Sequence, residues 1–172
     1  ASPSGMVPVL HHRDAVVWDS LAIGEYCAEI APELWPEERA ARAWARAVAA
    51  EMHSGFRALR VALPMNTGRQ RALVGGLPPE VAADAARITR IWEDTRDRFG
   101  ADGPFLFGSR FTLADAMFAP VVIRFGGYEV ALDGAAGAYA AAVRAHPLLE
   151  RWHREAAAEP ADWRLEKYES VS

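Results

Sequence analysis

Ser20 is the hydroxyl whose position most directly suggests chemistry. It precedes Leu21, Ile23, Tyr26, Cys27 and Ile30, an apolar set at helical spacing, so it is read as the cap of a helix running to about Ile30. A serine there offers a free hydroxyl beside unpaired backbone amides at the positive end of the helix dipole, which suits a carboxylate. A plain N-cap uses the same groups, and both roles can hold at once. Asp19 beside it adds a negative charge, or is simply a solvated turn residue. Cys27 is the only thiol; it lies in the apolar pattern of that helix and reads as a packed side chain, with no intramolecular disulfide to make. No C-x-x-C pair or Cys/His cluster is present, so no metal is expected. Arg124 interrupts a helix that is otherwise apolar nearly all round, and needs a partner if it is buried. Thr112-Leu113-Ala114-Asp115 is a capping box with aspartate in place of the usual glutamate; Thr112 and Asp115 are assigned to folding.

The bulk composition narrows the classes. The chain has 172 residues, half of them hydrophobic, with 19 basic and 23 acidic residues and a net charge of −4. Lys167 is the single lysine and no basic block stands out, so nucleic acid is not an expected partner. The apolar runs are too short to cross a bilayer, and no charged-then-apolar leader opens the chain. With one cysteine, a reducing, cytoplasmic setting is expected.

The elements that must position these residues come in two styles. Val7 to Leu10 and Ala15 to Trp18 are apolar runs separated by His-His-Arg-Asp, and read as a hairpin. The helix from Ser20 follows, then Ala31 to Pro36 as a proline-bounded linker. From Glu37 the pattern becomes helical throughout. Trp44, Val48, Met52, Phe56, Leu59 and Leu63 form one stripe, predicting a single helix of about 26 residues. His53 lies off that stripe. Gly55 inside it costs about 1 kcal/mol against alanine and suggests close backbone packing against a ligand or a partner subunit. Residues 64–77, with three glycines and two arginines, read as a mobile loop. Further helices are expected from Pro79 to Phe99, Leu113 to about Phe125, Ala135 to Ala145 and Pro147 to Ala157. Trp163 and Tyr168 suggest that the tail packs down. The predicted class is α+β, mostly α: a scrap of βα structure at 1–30, a linker at 31–36 and an all-helical part at 37–172. Two strands and one helix are too little to be stable alone.

The run Val7-Pro8-Val9-Leu10, a hairpin, then Asp19-Ser20 before Leu-Ala-Ile resembles the end of the thioredoxin-like domain of glutathione transferases. Gly108 to Asp115 resembles the capping box in the core helix of that family's helical domain. Asp115 to Val122 with Arg124-Phe125, and Ala50 to Phe56, resemble a bacterial branch. The resemblance covers essentially the whole chain and implies a thioredoxin-like C-terminal part followed by an all-helical bundle.

That resemblance implies a cis peptide bond before Pro8, with the Val7 backbone holding the cysteinyl part of glutathione as an added strand would. Without the resemblance, Val7-Pro8 reads as the start of an edge strand. It implies that Ser20 takes the γ-glutamyl carboxylate and that Asp19 lies near the γ-glutamyl ammonium, though aspartate is shorter than the glutamate common at this position. A second-substrate pocket is expected between the two parts, with His53, Phe56, Arg57, Arg60, Met65 and Asn66 as candidates; Phe56 is also on the core stripe and the arginines also read as solvated charges. The family's catalytic hydroxyl or thiol follows its first strand, and only Ala1 to Met6 precede Val7 here; Ser2 and Ser4 are misplaced for that role. The expectation is a glutathione transferase, using glutathione as co-substrate, whose first roughly 50 residues lie outside this sequence. A homodimer and a small electrophile are the implied partners. The alternatives are a truncated non-catalytic interaction or structural module, and an unrelated helical bundle, which requires Val7-Pro8 to be trans and far from Ser20.

Overall fold

Val9–His12 (β1) and Ala15–Trp18 (β2) pair antiparallel in a computed structural model of the chain, which describes residues 2–68 and 70–163. His11 and His12, expected in the turn, belong to β1. The connection is therefore the two residues Arg13-Asp14, with Arg13 at φ 54°, as tight hairpins require. The register runs from Val9 opposite Trp18 to His12 opposite Ala15. Among the described residues no further strand joins this sheet.

Helix α1 spans Ser20–Ile30. A 3-10 turn at Pro32–Leu34 leads to α2 (Arg39–Ser54) and α3 (Arg57–Ala62). The single long helix expected across this region is two helices. Gly55 is extended (φ −101°, ψ −167°), and Phe56 is left-handed at φ 59°. The close approach at Gly55 is to its own chain: a Cβ there would meet the Glu51 carbonyl oxygen at 2.7 Å. The apolar stripe survives the break because Phe56, Leu59 and Leu63 remain buried on the same side.

After the 64–77 segment come α4 (Pro79–Phe99), α5 (Leu113–Gly127), α6 (Gly134–Arg144) and α7 (Pro147–Ala157). The segment is not loose throughout: the Arg71 amide donates to the Gly127 carbonyl at 2.9 Å, and Leu73 packs on the core. Helix α5 is the axis, packed against α2 and α6, while α4 packs on α3 and α6. Nine of its fifteen residues are buried, which explains its nearly unbroken apolar character. Trp92 of α4 is fully buried and touches Phe118, Phe125 and Tyr139, with ring centroids 5.9, 5.6 and 5.0 Å away.

The capping box forms at the start of α5. Asp115 Oδ2 accepts from the Thr112 amide (2.8 Å) and hydroxyl (2.9 Å), and Oδ1 accepts from the Leu106 amide (3.0 Å). Burial pushes the Asp115 carboxyl pKa up, against the pull of those three donors. Trp163, expected to pack down, is 66% exposed; Tyr168 lies outside the described residues. No described helix is long and apolar enough to cross a membrane.

Candidate functional site

The register of the hairpin decides what meets at its open end. Because Val9 faces Trp18, the residues just before β1 and just after β2, Val7-Pro8 and Asp19-Ser20, emerge from the same end. The Val7–Pro8 peptide bond is cis. Val7 is 89% exposed, and no described residue pairs with its backbone.

Asp19, not Ser20, is the N-cap of α1. Its Oδ1 accepts from the amides of Leu21 (2.9 Å) and Ala22 (3.2 Å). Both residue types cap well, so composition could not choose between them; the backbone does. Asp19 sits at φ 76°, ψ 131°, a region that costs a non-glycine residue about 1–3 kcal/mol, so the helix begins after it and Ser20 is the first helical residue. The Ser20 hydroxyl and amide consequently make no hydrogen bond to a described residue. They stand exposed at the positive end of α1.

The second oxygen of Asp19 points away from its own helix. Oδ2 lies 2.8 Å from His53 Nε2, in the last turn of α2. The off-stripe position of His53 is explained by this contact: its ring leaves the core face and reaches the start of α1. Arg60 sits behind it. Its Nε donates to the Gly55 carbonyl (3.1 Å) and its Nη2 to the carbonyls of Met52 and, at 3.2 Å, His53. A guanidinium on the last carbonyls of a helix is a favourable C-terminal arrangement.

The other expected pocket residues separate. Phe56 is in the core and Met65 packs against it. Arg57 is exposed. Asn66 Oδ1 accepts from the Gly68 amide at 2.9 Å, closing a turn. Arg124 is not paired with a carboxylate among the described residues. Its Nε donates to the Leu63 carbonyl (2.8 Å) and its Nη1 to the Pro120 carbonyl (3.2 Å). Burial first, and then the nearby Arg60, lower its pKa. A separate depression of about 600 Å³ lies toward the end of α5, lined by Phe125, Val130, Leu132, Arg144 and His153 among others. None of the expected site residues lines it. No group of three or more described His, Cys, Asp or Glu side chains is arranged to hold a metal.

Three features were not legible beforehand: the Asp19–His53 pair, the Arg60 hold on the end of α2, and the carbonyl partners of Arg124. The first left a signal in the off-stripe histidine, and the third in an arginine that interrupts an apolar helix; the second left none.

This arrangement defines a class: an N-terminal βα fragment with an exposed strand end and helix start, set on a helical bundle. Residues 42–155 match the family model described as Glutathione S-transferase, C-terminal domain, and the chain belongs to the glutathione S-transferase family. Solved structures agree on the fold. A glutathione transferase homologue from Burkholderia gl BGR1 with bound glutathione aligns with a TM-score of 0.65 at 21% identity, over 92% of this chain and 76% of that one. A glutathione S-transferase from Legionella pneumophila aligns at 0.66 and 20% identity, over 88% of this chain and 83% of that one. A maleyl pyruvate isomerase, described as a bacterial glutathione S-transferase of the zeta class, aligns at 0.67 and 23% identity, over 92% and 77%. No curated protein matches the chain significantly.

Proposed function

We propose that the chain works as a glutathione transferase and that Val7, Pro8, Asp19 and Ser20 grip the tripeptide. The observation that carries this reading is the hairpin register, which sets an unpaired strand end beside a helix start whose serine makes no hydrogen bond to a described residue. In the reading, the Val7 N–H and C=O take the cysteinyl backbone as an added strand. The Ser20 hydroxyl and amide take the γ-glutamyl carboxylate, helped by the α1 dipole. Asp19 faces the γ-glutamyl ammonium. These residues hold the tripeptide; they do not activate its sulfur.

The thiolate of bound glutathione attacks a small electrophile, giving a conjugate, or adds and eliminates to isomerise a double bond. The electrophile enters between the hairpin end and the end of α2, near His53, Arg57 and Arg60. A homodimer in a reducing cytoplasm completes the reading, and domain limits of 1–30 and 37–172 go with it.

Isothermal titration of the protein with glutathione tests the proposal. Saturable binding is expected, weakened about tenfold in Ser20→Ala, the loss of one hydrogen bond to a charged group. Absence of binding at millimolar glutathione, or a Ser20→Ala variant that binds as well as the unsubstituted protein, would overturn it.

A further inference from the structure

Asp19 has two carboxylate oxygens, held by different parts of the molecule. Oδ1 is fixed by the first amides of its own helix, Leu21 and Ala22. Oδ2 is fixed by His53 Nε2 at 2.8 Å, from a helix of the bundle. Two helix ends of opposite polarity meet here. The acid lies at the positive start of α1 and the imidazole at the negative end of α2, so each dipole supports the group beside it. The imidazole is itself backed, because Arg60 binds the carbonyls of Met52, His53 and Gly55 and so fixes the turn that carries it. Asp19 also has a backbone conformation that non-glycine residues rarely adopt. Its cap restrains only one side of the carboxylate.

We propose that His53 is a positioning residue for glutathione: it sets the orientation of the Asp19 carboxylate, so that the bundle determines how tightly the βα fragment grips the tripeptide. This rests on the reading of Asp19 and Ser20 given above. His53 acts through Asp19 and does not itself touch the tripeptide. Nε2 lies 2.8 Å from Oδ2, within reach of the carboxylate, so the role requires a protonated nitrogen at that place, which either the charged ring or the neutral tautomer with its proton on Nε2 supplies.

A double-mutant cycle read by isothermal titration with glutathione tests this. His53→Ala is expected to raise the Kd about tenfold. His53→Gln, whose amide nitrogen can stand near the Nε2 position, is expected to recover most of that loss, and also answers the objection that alanine merely unsettles α2. In an Asp19→Ala background, His53→Ala is expected to add nothing. Glu51→Gln, which breaks an ion pair with Arg87 elsewhere on α2, is the control and is expected to leave the Kd unchanged. An equal penalty for His53→Ala with and without Asp19 would overturn the proposal, since His53 would then act on the ligand directly; so would no penalty in either background. Those two results leave the glutathione site standing. Absence of binding by the unsubstituted protein removes both the site and the inference.

Discussion

The βα fragment and the helical bundle are stabilised in different ways. Helix α5 buries nine residues, whereas α1 buries one, Gly24. Trp92, Phe118, Phe125 and Tyr139 form a sealed aromatic centre in the bundle. The hairpin instead exposes Met6, Val7, Val16 and Trp18. The fragment is fastened to the bundle by Leu21 and Ala28, which pack on the core, and by a few discrete contacts: Gly24 against Leu113, Glu25 with Arg46 and Asp19 with His53. The two regions divide the labour. The well-packed part supplies stability, and the exposed part supplies unpaired backbone and hydroxyl groups, which a sealed core cannot offer.

The contrast is broken most severely from the bundle side. Trp92→Ala removes a fully buried ring with three aromatic neighbours and is expected to cost about 3–5 kcal/mol in urea denaturation, unfolding bundle and fragment together. Asp115→Ala leaves the buried amides of Leu106 and Thr112 without acceptors, for an expected loss of about 3 kcal/mol by the same measurement.

A substitution at the seam should separate the two regions. A Cβ at Gly24 would meet Leu113 Cδ2 at 2.4 Å, so Gly24→Val is expected to cost about 1–3 kcal/mol. Hydrogen exchange should then accelerate in Leu21–Ile30 while the amides around Trp92 stay protected. Leu113→Ala in the same chain should restore part of the loss. Equal acceleration in both regions would show that they unfold as one unit.

The smallest effect is at the exposed pair. Glu25→Gln is expected to change stability by less than about 1 kcal/mol. The hydrogen bond from Arg46 holds the Glu25 carboxyl below its ordinary 4.5. The pair's contribution is therefore fully present above pH 4.5 and is lost as the pH falls through the lowered folded value, because the unfolded chain takes up the proton first. Stability curves of the two proteins should converge in acid.

The same division governs what could be read beforehand. Helices α1 and α4 and the start of α5 follow from apolar spacing and caps, because those signals are local. The break at Gly55-Phe56 does not, since one left-handed residue bends the helix while Phe56, Leu59 and Leu63 stay on the buried face. The cap of α1 was misplaced by one residue because Asp and Ser are equivalent as cap types, and the choice lies in the φ of Asp19. Val7-Pro8 and Asp19-Ser20 were grouped by the family resemblance, and the hairpin register brings them to the same end. That Asp19 reaches across to His53 was not, because 34 residues separate them and only tertiary packing brings them together.

The open end of the hairpin is proposed to hold glutathione. Backbone amide NMR during a glutathione titration tests it most directly. Val7, Ser20 and Leu21 are expected to shift together with one Kd, while amides around Trp92 stay in place. Shifts confined to the depression near Arg144 and His153, with Val7 and Ser20 unmoved, would contradict it.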